Sequence, residues 1–222
     1  MYFLCLPVIL ATFLRPLSYR YQWLYDMIAQ IAALSVGGED RFRHLPIAGL
    51  ELPTTAKALD LCCGSGQSTR ILVKHLTHVT GLDISPVSLQ RAKNNVPQAE
   101  YLEADATAIP LPDQSLDLVH TSAALHEMTP EALGQITQEV WRVLKPGGYF
   151  VLVDFHRPTN WLFLPGIWLF FWLFETATAW QLINLDLPGL LEQVSFQVSR
   201  HQLYAGGSLQ VIQARKPPYG HP

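Results

Sequence analysis

Three carboxylates and two histidines stand at the ends of apolar runs, where a layered fold delivers side chains to a shared cleft. Asp60 lies near the end of Ala58-Leu59-Asp60-Leu61, and Cys62-Cys63-Gly64-Ser65-Gly66-Gln67-Ser68-Thr69 follows it. Two glycines in a turn before a helix-forming segment let the backbone come close to a ligand that a side chain would hold off. This is the strand, glycine loop and helix entrance of a nucleotide-type binding site. Asp83 follows in Val79-Thr80-Gly81-Leu82-Asp83-Ile84. It is close to the ~20-residue offset at which a carboxylate at the tip of a second strand receives ribose hydroxyls. A third acid, Asp105, comes where Tyr101-Leu102-Glu103 should end a strand. His126 and His156 follow two later strands, and the ordinary pKa of imidazole suits proton transfer near neutral pH. No GxSxG, HExxH or P-loop pattern occurs, and no cysteine or histidine spacing predicts a metal site.

The elements that must position these residues alternate regularly from Lys57 onward. Strands are predicted at about 57–62, 78–84, 99–103, 116–122 and 148–155, with helices at Ser68 to His75, Val87 to Asn95 and Pro130 to Leu144. Pro86 and Pro130 suit first helical turns, with Ser85 and Thr129 as caps. Leu144-Lys145-Pro146-Gly147-Gly148 should turn the last of these helices into the fifth strand. Phe196 to Arg215 reads as two strands around Gly206-Gly207. Repeated β-α units predict a parallel sheet with right-handed crossovers.

The net charge of −3 and the lack of basic runs argue against nucleic acid as a partner. Three cysteines give no disulfide framework, so a reducing, cytoplasmic setting is expected. Only 15% of residues are charged and 49% are hydrophobic, against ~25% charged in average domains. Some apolar surface must be accounted for.

The loop, the three strand-end acids and the LKPGG turn together resemble the class I S-adenosylmethionine (SAM)-dependent methyltransferases. Among them the chain is most similar to the ubiquinone/menaquinone biosynthesis C-methyltransferases, over roughly residues 56 to 158. The resemblance implies an α/β fold with a Rossmann-like, doubly wound, seven-stranded, mostly parallel sheet and a C-terminal antiparallel hairpin. It implies a methyltransferase domain over 54–222 behind an N-terminal extension, 1–53, and SAM as cofactor. Asp60 then reaches the methionine amino group, usually through water. Gly64, Ser65 and Gly66 form the loop under the methionine part, and Thr69 lies on the following helix turn. Asp83 holds the ribose diol and Ile84 packs on adenine. Asp105 and Ala106 read the adenine edge, and Ser122 touches the cofactor. Tyr25, in Tyr25-Asp26, resembles a residue on a helix that closes over the cofactor. Cys62 stands where the fuller pattern has glycine. Carbon methylation of a quinol benefits from a base, for which His126 and His156 are the candidates. The family has an arginine–asparagine pair near His126-Glu127, so quinol specificity does not transfer by resemblance.

Two apolar segments remain. Met1 to Leu14 carries no charge, and Trp161 to Phe174 is uncharged, interrupted by Pro165-Gly166 and apolar on every face. Both are short of the ~20 residues a span needs, and tryptophan favours membrane–water boundaries. They are expected to give peripheral membrane contact, with 159–181 as an insertion after the fifth strand. A greasy acceptor, a prenylated quinol or other lipid, follows from them. Three alternatives remain at this point: a methyltransferase for a soluble small molecule using these segments to dimerise, a SAM-binding accessory protein without turnover, and an NAD-binding protein. Oligomeric state is open.

Overall fold

The computed structural model describes residues 36–174 and 176–218. Tyr25, the helix expected over 19–34 and the apolar stretch 1–14 lie outside the described residues. A seven-stranded sheet runs in the order β3-β2-β1-β4-β5-β7-β6. Its strands are β1 Lys57–Leu61, β2 His78–Asp83, β3 Glu100–Glu103, β4 Leu116–Ser122, β5 Leu144–Phe155, β6 Gln197–Tyr204 and β7 Leu209–Arg215. The first five are parallel; β7 runs antiparallel between β5 and β6. The Rossmann-like sheet with a terminal hairpin is as expected.

Both faces of the sheet are covered, which is why its central strands read as nearly unbroken apolar runs. Leu59 and Leu61 of β1 join a core with Leu133, Ile136 and Val140 of one helix and Leu187 and Leu191 of another. Ala58, on the other face, packs with Leu72, Leu76, Leu118 and Val151. The helices are α1 Glu39–His44, α2 Thr69–Leu72, α3 Pro86–Asn95, α4 Pro130–Val143, α5 Leu164–Phe174, α6 Ala177–Leu182 and α7 Leu187–Gln193. Ser85 and Thr129 cap α3 and α4 as expected: their hydroxyls accept from the amides of Ser88 and Ala132, each at 3.3 Å. The helix expected over 68–75 is shorter, since only Thr69–Leu72 is helical and single turn bonds carry the chain to Leu76.

The LKPGG segment differs in register from its expectation. The helix stops at Val143, and Leu144 already pairs with Leu116. Pairing then shifts so that Tyr149 meets Leu118, and the intervening residues bulge out. Gly147 takes φ 86° in that bulge, where a Cβ is disfavoured, and Lys145 Nζ bonds Asp117 at 2.7 Å.

The expectation that 161–174 is apolar all round holds for its composition, but packing divides it. A 3-10 turn, Trp161–Phe163, leads into α5. Phe171 is fully buried, with its ring 5.0 Å from Phe155 and 5.2 Å from Trp180. Trp161, Trp168 and Leu169 are 73%, 54% and 56% exposed. Among the described residues, no helix is long and apolar enough to cross a membrane.

Candidate functional site

A cleft of about 380 Å³ opens where the carboxyl ends of β1, β2 and β4 and the loop after β3 meet over the glycine loop. Gly64, Ser65, Asp83, Ile84, Asp105 and Ala106 all line it. One oxygen of Asp83 accepts the Gly64 amide at 2.8 Å and the other the Ser85 amide at 2.9 Å. The acid therefore fixes the loop to the start of α3 and keeps lone pairs for further donors. Ile84 is 67% exposed, an apolar shelf beside that carboxylate. Asp105 Oδ1 accepts both the amide and the hydroxyl of Thr107, at 2.8 and 2.7 Å. Those bonds hold its carboxyl below the usual range.

Other predicted residues are placed differently. Asp60 is buried rather than open to the cleft: Thr69 donates to it at 2.6 Å and His120 Nδ1 lies 3.0 Å from its other oxygen. Gly66, with φ 86°, turns toward α3, where a Cβ would stand 3.4 Å from Ala92 and Val96. A Cβ there would make only ordinary contact, so it is the positive φ that favours glycine. Ser122 accepts from Arg43 at 3.0 Å and is not among the cleft-lining residues. His156 faces the hairpin, with Nδ1 2.9 Å from the Gly207 carbonyl and its ring 6.0 Å from His201. His126 lies in the 3-10 turn Leu125–Glu127, between the cleft-lining Ala124 and Glu127. Its Nδ1 is 2.7 Å from Asp154. His126 is buried beside the cleft-lining residues, and neither it nor His156 is among those that line the cleft.

Three features were missed in the sequence. His120 pairs with Asp60 because the parallel register sets them side by side on β4 and β1; a polar residue inside the apolar run Leu118 to Thr121 was the available signal. Cys62 adopts φ 57°, an uncommon conformation for a residue with a side chain. It lines the cleft, and burial, helped by Asp83 and Asp60, pushes its thiol up to about 12. Asp154 is a buried strand-end acid like Asp60 and was visible only as part of a resembling segment.

Comparison with known proteins decides the family. The chain is 56% identical over 206 residues to an uncharacterized methyltransferase of Synechocystis, covering 93% of this chain and 97% of that one. It is 31% identical over 230 residues to the 2-phytyl-1,4-naphthoquinone methyltransferase of Thermosynechococcus vestitus, covering 92% of this chain and all of that one. The chain belongs to the SAM-dependent methyltransferases. The family described as Methyltransferase domain matches residues 59–152. A SAM-dependent methyltransferase of Mesorhizobium loti superposes with TM-score 0.60 at 22% identity, covering 80% of this chain and all of that one, which shows the shared fold.

The residues present fit SAM. The cleft lies within the size range of small-ligand sites. Asp83, Asp105 and Glu127 in its wall suit a cationic ligand, and the exposed Ile84 suits an aromatic base. The NAD reading is replaced by the methyltransferase family.

Proposed function

We propose that this methyltransferase acts on a prenylated quinol taken from a membrane surface. One observation carries the reading: a run of ring contacts from His126, buried between the cleft-lining Ala124 and Glu127, to the helix that carries the exposed apolar face. The His126 ring is 4.7 Å from Phe155, which is 5.0 Å from Phe171 and 5.8 Å from Phe170 on α5. The same helix presents Trp168, Leu169 and Trp172 to solvent. Tryptophans on an uncharged segment suit the headgroup boundary, and an aromatic path behind them suits an acceptor with an apolar tail. The named activity of the Thermosynechococcus relative supports the same acceptor class.

Within this reading Asp83 receives the ribose hydroxyls, Ile84 packs on adenine, and Asp105 with the Ala106 amide reads the adenine edge. Gly64 and Ser65 lie beneath the methionine part. Asp60, bonded by Thr69 and His120, contributes its negative charge from behind the loop rather than a direct contact. Bound SAM supplies the methyl group as a sulfonium electrophile whose leaving thioether is neutral. The protein has mainly to align the partners and exclude water, and His126 takes the acceptor's hydroxyl proton.

The test compares transfer to 2-phytyl-1,4-naphthoquinol in phosphatidylcholine vesicles with transfer to soluble catechols, alongside vesicle flotation. Flotation and preference for the vesicle-borne quinol are expected. Efficient turnover of soluble acceptors by protein that stays off vesicles would refute the reading.

A further inference from the structure

We propose that a groove between α1 and the turn after α2 is a docking site for an anionic phospholipid, its acyl chain on the apolar floor and its headgroup phosphate against the cationic rim. This rests on the reading of a membrane-borne acceptor, and it names the lipid chemistry that would hold the enzyme at the surface. The groove has a volume of about 510 Å³ and lies apart from the cofactor cleft, with which it shares no lining residue. Its floor is apolar: Leu45 and Ile71 are buried, and Ala48 is half-buried beside them. The rim carries Arg41 and His44 from α1, and Lys74 and His75 from the turn after α2, all four exposed.

That gathering of basic side chains stands on a chain whose net charge is −3. Among the described residues no carboxylate pairs with Arg41 or Lys74. Asp40 is the one acid lining the groove, and Arg70 outside it lies 3.5 Å away and offsets its charge. The His44 and His75 rings, 5.3 Å apart, add N–H donors to the two cations. Two features choose a lipid over a free anion. Inorganic phosphate would meet the rim and leave the apolar floor wet, whereas a phospholipid covers both. The groove is also joined to the apolar face already described. Leu45 belongs to the same cluster as Phe42, Phe155 and Phe171, and Phe171 is the buried side of α5, whose Trp168 and Leu169 are exposed. Membrane binding at an interface grows with buried apolar area and with attraction to anionic lipids. The structure carries one of these on α5 and the other on α1 and the turn after α2, with one packed cluster between them.

The test measures flotation with vesicles of phosphatidylcholine alone and of equimolar phosphatidylcholine and phosphatidylglycerol. Wild type should bind the mixed vesicles more tightly, and added salt should erode the difference. Each cation near an anionic surface is worth about fivefold in affinity, so Arg41→Gln with Lys74→Gln should weaken binding to mixed vesicles by about 25-fold. The same double variant should keep its affinity for phosphatidylcholine vesicles and for SAM within threefold, and Arg41→Lys should hold binding to mixed vesicles within threefold. A double variant that retains the gain from phosphatidylglycerol overturns the proposal. So does displacement from mixed vesicles by millimolar inorganic phosphate at matched ionic strength, which would show a site for the free anion. Wild type that floats equally with both kinds of vesicle overturns the headgroup site and leaves the membrane reading standing. Wild type that floats with neither overturns the membrane reading and the site with it.

Discussion

Replacing Asp83 by asparagine should cut SAM affinity by about 30- to 150-fold. The carboxylate already accepts one amide on each oxygen, from Gly64 and Ser85, and retains capacity for two ribose hydroxyls. A hydrogen bond to a charged group contributes about 1.5–3 kcal/mol and a neutral one about 0.5–1.5. Removing the charge from two such bonds therefore costs about 2–3 kcal/mol, at 1.4 kcal/mol per tenfold. An amide must also turn its NH2 toward one of the two backbone N–H groups, which loosens the loop. Melting temperature should fall slightly while the protein stays folded. Isothermal calorimetry on folded variant and wild type reads the affinity. Ile84→Ala, which removes an apolar shelf and no polar contact, should cost less than Asp83→Asn. A change in affinity below threefold for Asp83→Asn would refute the ribose role and the reasoning that leads to it.

Further expectations concern stability, reactivity and surface. Arg142 bonds Glu139 through two nitrogens, and also Asp113 and the carbonyls of Ile109 and Leu111. Arg142→Ala should therefore cost about 2–3 kcal/mol, a melting-point drop of roughly 5–10 °C; an unchanged melting point would refute the staple. The hydrogen bond from Arg142 holds the Glu139 carboxyl below its usual range. Its stabilisation is present above the unfolded pKa, near 4.3, and is lost as pH falls through the lower folded value. The gap between wild type and Glu139→Gln in urea titrations should therefore close below roughly pH 4, and a gap that persists there contradicts the pairing. Cys62, with its thiol raised to about 12, should resist iodoacetamide at pH 8 in peptide mapping; rapid labelling of folded protein would contradict that environment. Trp168→Glu with Leu169→Glu removes two half-exposed apolar side chains. It should weaken vesicle binding by about 30-fold or more with SAM affinity unchanged, and undiminished flotation would exclude this face.

Much of the fold was legible because its signals are local. Glycines beside strand-end acids, prolines in first turns and capping hydroxyls act within a few residues, and β1, β2, β4 and both capped helices form where those signals lie. The cleft-lining set around Asp83 was legible for the same reason. The rest depends on register and partner geometry. Asp60 and His120 are 60 residues apart in sequence, and only the alignment of β1 with β4 makes them a pair and withdraws Asp60 from the cleft. Gly66 was expected in the loop beneath the ligand, and its positive φ turns it toward α3. Ser122 and His156 end up bonded to Arg43 and Gly207, partners no motif specifies. Asp154 gathers donors from a turn about 30 residues earlier, so its importance shows only once β4 and β5 lie side by side.

Incubating the protein with methyl-labelled SAM and 2-phytyl-1,4-naphthoquinol in vesicles, then locating the label by mass spectrometry, tests the central claim most directly. Label on the quinol ring, dependent on Asp83 and on His126, is the predicted result. Folded protein that binds SAM but leaves the quinol unlabelled, or labels a soluble acceptor in preference, would contradict it.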